Sequence, residues 1–446
     1  MNEQNETIVA LSTPLGVGAI SIVRMSGENA INIADSMFLS LKNKKPSDFM
    51  PRKLELGTLT TAKFTEKVLC VVFRCPNSYT GEDLVEFQCH GGVKIAEGVI
   101  EECLNSGAKM ATSGEFSKRA FINGKMDLAM AEGMMNMINA QSDAEIRAGF
   151  SLLDGELGKI TTDAQKKLTD LLAEIEVSLD YPEEDIEYIA HEKLTSIATT
   201  IKKDIDNLIA TSNAGRQISK GINLLILGEP NVGKSSLLNA LIGKNRAIVT
   251  QISGTTRDII EESLEINGVK FNIIDTAGIR ETSDIIEQIG IDKAKEKIKS
   301  ADLVLVMVDA SKPQSEKDRE VMALTENKSR LIVGNKIDLT SEPLQPADIY
   351  ISTQNPDNIK TLKDKIYALS ADNEITNGVV ITSLRHLDAL KRASTALSNA
   401  INAADASLDL ISIDLKTAYT ALGEITGNTT NEDIINAIFS KFCLGK

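Results

Sequence analysis

No apolar run in this sequence approaches the ~20 residues that a membrane-spanning helix needs, so no spanning segment is expected. The opening Met1-Asn2-Glu3-Gln4-Asn5-Glu6 is polar and acidic. It lacks both the basic start and apolar centre of a secretory signal and the arginine-rich character of a transit peptide, which points to a cytoplasmic location. C-x-x-C pairs are absent, and the five cysteines are odd in number. That argues against a disulfide framework or a zinc site. Cys70, Cys75, Cys89 and Cys103 read instead as buried, reduced thiols. The terminal Cys443-Leu444-Gly445-Lys446 is not a prenylation box, because Gly445 is not aliphatic and Lys446 is not a usual last residue. Basic tails and long Lys/Arg runs are also missing, and the net charge is −15. A protein that grips nucleic acid unaided normally shows a basic surface, so any RNA is expected to be held largely by a partner. Proline is scarce: Pro182 is the sole one between Asn77 and Glu229, and none follows Pro356. Glycine is missing from Lys159 to Ala214. No internal repeat or low-complexity segment is present.

These gaps outline the helices. Leu168, Leu171, Leu172, Ile175 and Leu179 recur at helical spacing, as do Ile197, Ile201, Ile205 and Ile209 beyond the break at Pro182. The acidic residues around Pro182 read as a solvated helix start rather than a metal site. After Pro356, Leu384, Leu387, Leu390, Leu397, Ile401 and Leu408 repeat likewise, followed by Leu415, Ala418, Leu422 and Ile425, and a last helix is expected from about Asn431. The first ~120 residues read as α+β, with apolar runs at Gly18–Met25 and Val68–Phe73 and a helix at Ala96–Leu104. Between Ile222 and Leu369 strands and helices alternate. Leu224–Leu227, Phe271–Ile274, Leu303–Val308 and Leu331–Val333 are the strands of a largely parallel sheet in a three-layer α/β domain. With 446 residues and 42% hydrophobic content, roughly two to four domains are expected. The simplest arrangement is one discontinuous helical domain with the α/β domain inserted in it.

The chemistry concentrates in Gly228-Glu229-Pro230-Asn231-Val232-Gly233-Lys234-Ser235, which follows an apolar strand and opens a helix. This is G-x-x-x-x-G-K-S in the context a phosphate-binding loop requires. Gly228 and Gly233 let the backbone fold around an anion, and the helix N-terminus adds positive potential. Lys234 suits the outer phosphates, and the Ser235 hydroxyl suits a magnesium ion. Asp275-Thr276-Ala277-Gly278 follows another strand. There Asp275 can hold magnesium through water, and the Gly278 amide can reach a γ-phosphate. Asn335-Lys336-Ile337-Asp338 follows a third strand, and a carboxylate such as Asp338 accepts the N–H pair that guanine offers and adenine lacks. Ser352 and Thr353 close the base site. Thr256, in Gly254-Thr255-Thr256-Arg257-Asp258, is the candidate to complete the magnesium shell. Where Ras-type GTPases place a water-orienting glutamine, this chain has Ile279. Asn231 is then either a turn residue or a hard ligand for a cation beside the phosphates.

In this order the motifs resemble those of the MnmE (TrmE) family of tRNA wobble-uridine modification GTPases. The likeness extends to Asn77–Asp83, His90-Gly91-Gly92, Gly114–Phe121 and the terminal Phe442–Lys446. The usual terminal tetrapeptide has isoleucine where Leu444 stands, and Ser-Ala-Lys is commoner at Ser352–Gln354. The resemblance implies an α+β folate-binding and dimerisation domain over 1–120, helical-domain parts over 121–215 and 377–446, and a Ras-like GTPase domain over 216–376. It implies GTP contacts from Asn231 through Ser236, from Thr250 through Gln251, Ile252, Ser253, Gly254, Thr255 and Thr256, and from Asp275 through Thr276, Ala277 and Gly278. Asn335, Lys336, Asp338, Ser352 and Thr353 complete that set. Lys234, Thr256 and Glu287 are the implied catalytic residues, with Glu287 orienting water, although Glu287 by itself reads as a solvated helix residue. Ser235 and Thr256 would hold Mg2+. A potassium ion, in place of an arginine finger, would be held by Asn231, Thr250, Ile252 and Thr255. Arg24, Glu82, Lys125 and Lys446 would bind 5,10-methylene- or 5-formyl-tetrahydrofolate. Cys443 matches a family thiol, or is a structural contact near the folate. The implied partners are a second copy of the chain, the FAD-dependent MnmG protein and tRNA, with no membrane. Two competing readings, a ribosome-assembly GTPase acting as a binding switch and a GTPase that remodels membranes or filaments, lack the basic module or the amphipathic segment that each needs.

Overall fold

The structure is a computed structural model, and it describes residues 6–180, 191–243, 262–274, 291–370, 378–403 and 407–446. The acidic stretch after Asp180 that surrounds Pro182 lies outside them. The chain divides into two units. One comprises Met1–Met135, Leu152–Thr169 and Tyr419–Lys446; the other comprises Asn136–Ser151 and Asp170–Ala418.

The first unit is built on a seven-stranded sheet. Its strands are β1 (Ile8–Leu11), β2 (Ile20–Ser26), β3 (Phe38–Ser40), β4 (Glu55–Thr60), β5 (Thr65–Phe73), β6 (Leu84–His90) and β7 (Lys109–Met110), in the order β3-β4-β5-β6-β2-β1-β7. Pairing is antiparallel throughout except for β1 with β7. The two-residue period of a strand sorts its side chains onto two faces. Val9, Val23 and Met25 pack into a core with α1 (Ala30–Met37) and α2 (Val93–Asn105). Ile8 and Ala10 face the other way, against Phe116 of α3 (Glu115–Ile122). β1 and β2 pair Ala10 with Arg24 and Ile8 with Ser26, so Arg24 and Ser26 share that second face.

In the same unit lie α4 (Leu128–Asn139) up to Met135, the start of α6 (Glu156–Asp180), and α15 (Glu432–Phe439) near the C-terminus. Leu128, Ala131, Phe439 and Phe442 form a further core. Gly114 is required there, since a Cβ on it would lie 2.2 Å from the Phe439 carbonyl oxygen. Cys70, Cys89 and Cys103 are buried as expected, and burial pushes the thiols of Cys89 and Cys103 up to about 12. Cys75 departs from expectation and is exposed, because it lies past the end of β5 in the turn that leads to Pro76.

The second unit holds a six-stranded sheet of β8 (Ile222–Gly228), β9 (Glu262–Ile266), β10 (Val269–Ile274), β11 (Leu303–Asp309), β12 (Arg330–Asn335) and β13 (Ile349–Tyr350), ordered β13-β12-β11-β8-β10-β9. It is parallel except for the edge hairpin β9–β10. Its central strands read as unbroken apolar runs because helices cover both faces. Leu224 and Ile226 pack on one side with α9 (Lys234–Ile242) and α12 (Pro356–Ser370). Leu225, Leu227, Val304 and Val306 pack on the other, with Ile298 of α10 (Ile291–Ser300) and Val321 of α11 (Glu316–Leu324). This is the expected three-layer arrangement.

The helices of this unit bury stripes that only partly follow the leucines. On α7 (His191–Ala210), Leu194, Ala198, Ile201 and Ile205 are buried. On α13 (Leu384–Asn402) the buried positions are His386, Ala389, Leu390, Ala393, Ala396, Leu397 and Ala400, whereas Leu384, at the first turn, is 71% exposed. The small alanines let α7 and α13 lie close together, so shape rather than leucine spacing defines the buried face.

Candidate functional site

In the second unit, β8 ends at Gly228 and α9 begins at Lys234, which makes the intervening loop a strand-to-helix turn. Gly228 and Gly233 adopt φ of 150° and 104°. A Cβ on Gly228 would come within 2.3 Å of the Met307 carbonyl oxygen, and one on Gly233 within 2.3 Å of Asn335 Nδ2. Both glycines are therefore demanded twice, by conformation and by space. Asn231 has φ 64° and is exposed. Val232 is buried and anchors the loop to the core. Lys234 Nζ donates to the carbonyls of Gly228 and Glu229, at 2.7 and 2.8 Å, which folds its cation over the loop. Ser235 and Ser236 are exposed on the first turn of α9. Backbone amides at such a helix start, beside an ammonium group, form an anion cradle.

The residues expected to recognise the base lie at or just after the ends of β12 and β13, beyond β11 from β8. Asn335, the last residue of β12, is buried; its Nδ2 donates to the Val232 carbonyl at 2.8 Å, and its Oδ1 accepts from the Thr353 backbone N–H at 3.3 Å. One carboxamide thus joins the loop to the segment that follows β13, where the base site is expected. Because the Thr353 contact uses the backbone, departure from the usual side chains there leaves it intact. Ser352 is buried, with its backbone N–H bonded to Asn358 Oδ1 at 2.9 Å. Lys336 has φ 66°, and its Nζ donates to Asp309 Oδ2 at 2.8 Å. Asp338, in a short 3-10 turn, is exposed and available to a ligand.

Three residues around this site were not apparent from the sequence. Asp309 ends β11; burial acts to raise its carboxyl, but hydrogen bonds from Lys336 and Ser311 outweigh that and hold it low. Gln345 Nε2 donates to the Asp309 carbonyl at 2.8 Å. Ser315, which caps α11, donates its hydroxyl to Glu229 of the loop. The usable signal for Asp309 was a single charge closing the apolar run Leu303–Val308. Thr250 through Thr256, Asp275 through Gly278, Ile279 and Glu287 lie outside the described residues.

In the first unit, the expected folate positions come together on the α3 face of the sheet. Arg24 bonds Glu86 through Nε at 2.8 Å, reaches the Gly445 carbonyl through Nη1 at 3.4 Å, and lies over the rings of Tyr79 and Phe116. Gly445 holds the neighbouring Lys446 at this place, since a Cβ on it would lie 2.2 Å from the Leu11 carbonyl oxygen. Glu82 accepts from Ser26 Oγ at 2.7 Å, and Ser26 is on β2 beside Arg24. A Cβ on Gly81 would lie 3.1 Å from Lys125 Cε, so Lys125 is next to the same turn. Cys443, one residue after the buried Phe442, is exposed. Arg119 was not singled out from the sequence. It is buried and contacts both oxygens of Glu82.

A parallel sheet with this loop and these strand-end residues defines an α/β nucleotide-binding GTPase domain, carried in a chain that also has a separate α+β unit. The particular family follows from comparison with known proteins. The sequence matches the MnmE helical domain over residues 128–443 and the GTP-binding protein TrmE N-terminus over residues 7–125. It is 40% identical to the tRNA modification GTPase MnmE of Clostridioides difficile (strain 630), covering 99% of this chain and 99% of that protein. It is also 40% identical to the protein of the same name from Alkaliphilus oremlandii (strain OhILAs), again covering 99% of each. The chain belongs to the MnmE family of GTPases. Among solved structures, an Aquifex aeolicus Era variant bound to GDP and aluminium fluoride aligns over 39% of this chain and 66% of that one, at 25% identity and a TM-score of 0.24. So low a score says nothing further about the fold.

Proposed function

We propose that this chain hydrolyses GTP within a complex that modifies the wobble uridine of certain tRNAs. The supporting observation is the pairing, in one chain of this family, of a glycine-shaped phosphate cradle with a separate face that gathers Arg24, Glu82, Lys125 and Lys446. The residues fit a guanine nucleotide: the loop amides and Lys234 take the phosphates, and Asp338 takes the base. Ser235 and Thr256 would hold Mg2+, which supplies charge neutralisation on the phosphates when bound. Asn231, exposed in the loop at φ 64°, is the proposed side-chain ligand for K+. Thr250, Ile252 and Thr255 complete that proposed ligand set, and Glu287 is the proposed water-orienting base.

The α3 face of the first unit fits a tetrahydrofolate. Arg24, Lys125 and Lys446 suit its carboxylate tail, and Glu82 suits a pterin N–H pair. With a one-carbon unit from that cofactor as the methylene, an amine co-substrate as the nitrogen source and an FAD-dependent partner of the MnmG type, the complex would install a carboxymethylaminomethyl or aminomethyl group at uridine C5. In this reading the protein is a cytoplasmic homodimer joined through residues 1–120, with helical parts at 121–215 and 377–446 and the GTPase domain at 216–376. The acidic net charge of −15 accords with tRNA being held chiefly through the partner.

Nucleoside analysis of tRNA from a deletion strain tests the whole reading. The modified wobble nucleoside is expected to vanish and to return on complementation; an unaltered profile would sink it. Hydrolysis is expected to be at least about tenfold faster in potassium than in sodium salts at saturating GTP and matched ionic strength, because charge neutralisation beside the phosphates is worth that much or more. Equal rates would remove the cation from the mechanism.

A further inference from the structure

Arg119 carries its charge where an unpaired charge is costly. Its side chain is 9% exposed, on the face of α3 that buries Phe116 and Ala120. Nη1 donates to the Glu6 carbonyl at 2.8 Å and reaches Oε1 and Oε2 of Glu82 at 3.3 and 3.2 Å. Nη2 donates to Glu115 Oε1 at 2.8 Å. Glu115 is itself fixed, since its Oε2 accepts from the Thr112 backbone N–H at 2.8 Å. The guanidinium plane is therefore held at both ends.

Glu82 is held from its other side as well. Ser26 Oγ donates to Oε2 at 2.7 Å, and that hydroxyl lies 2.6 Å from Thr80 Oγ1. Thr80 Oγ1 accepts from the Glu82 backbone N–H at 3.3 Å, and the Thr80 carbonyl accepts from Asn123 Nδ2 at 2.7 Å. The Glu82 side chain nevertheless remains 20% exposed. A glutamate left to itself samples several rotamers, and ordering it costs a ligand part of its affinity. Here the ordering is already done.

We propose that Arg119 is a positioning residue for Glu82: it presets the carboxylate that receives the pterin N–H groups. This rests on the folate reading of Glu82 given above. If Arg119 served only to tie α3 to the N-terminal strand through Glu6, its loss would lower thermal stability and folate affinity to the same extent whatever stood at position 82.

The test is a double-mutant cycle on the full chain, titrated calorimetrically with 5-formyltetrahydrofolate, with thermal melts run alongside. Glu82→Gln and Arg119→Gln are each expected to weaken binding by about 10- to 100-fold, the usual scale for a partner that orients a ligating group. The double variant is expected to bind no more weakly than Glu82→Gln, within about threefold, since additivity holds only for independent sites. Arg119→Lys keeps a cation in the buried position but not the fork, so it should recover part of the affinity, and it carries the same cycle if Arg119→Gln melts below the assay temperature. Loss at Glu82→Gln with unchanged binding by Arg119→Gln overturns this inference alone, as does a double variant that loses the product of the two single effects. Unchanged binding by Glu82→Gln overturns the folate reading and this inference with it.

Discussion

The two sites of this chain are made in opposite ways. The phosphate loop lies within eight consecutive residues, Gly228 to Ser235, and its shape comes from two glycines whose backbone no other residue could adopt in that space. The face that gathers Arg24, Glu82, Lys125 and Lys446 comes from segments far apart in the chain, and charged side chains hold it: Arg24 on Glu86, Arg119 on Glu82 and Glu115. The comparison teaches that a site shaped by backbone is intolerant of added atoms, whereas a site shaped by ion pairs is intolerant of lost ones. A Cβ cannot move aside, but an unpaired buried charge can be relieved only by water or by a new partner.

The sharpest break should come at the loop. Gly233→Ala puts a Cβ 2.3 Å from Asn335 Nδ2 at a φ of 104°. Backbone strain of ~1–3 kcal/mol adds to the lost stitch between the loop and β12. GTP affinity is expected to fall by about 100-fold or more, while folate titration stays as in the unaltered chain. A variant that still bound GTP normally would show that the loop is not glycine-shaped. Next in size is Arg24→Ala on the other site. Removing this cation should cost about 2–3 kcal/mol of folate affinity, roughly 30- to 140-fold, with GTP binding unchanged. An identical folate titration would take Arg24 out of the site. Together these two substitutions show whether the sites fail independently.

The smallest effect tests an ion pair that helps to build the nucleotide site, Lys336 with Asp309. Asp309 is held below its ordinary value of 3.8. A carboxyl lowered on folding stabilises the folded chain above its unfolded value and loses that contribution as pH falls through the folded one. The stability difference between the unaltered chain and Asp309→Asn should therefore be constant from pH 7 to about 5, and should close at pH values below 3.8. A gap that persists well below that pH would mean that Asp309 acts through its shape rather than its charge.

Legibility followed the same division. The strand–loop–helix, the order of the strand-end motifs and the three-layer sheet could be read directly, because each is a local pattern of glycine, apolar period and flanking turn residues. The buried stripe of α13 could be read from its leucines only in part, at Leu390 and Leu397. Leu384 lies on the solvent side while His386 and a line of alanines are buried, since the close approach of α7 selects small residues. Cys75 was misjudged for a related reason: burial of a thiol depends on whether its strand has already ended. Arg119 stood inside a quoted motif, but nothing in the order of residues shows which acids a buried guanidinium will meet.

The sequence by itself determined the strand–loop–helix turn between Gly228 and Lys234 and the position of Asn335 at the end of β12, because backbone conformation there depends on neighbours within a few residues. Tertiary structure alone decided that Asn335 would join the loop to the base site, that Lys336 would pair with Asp309, and that Gly445 would bring the C-terminus beside Arg24. Those are contacts between residues tens to hundreds apart in the chain, and they exist only once sheet pairing and core burial have paid the entropy of bringing such segments together.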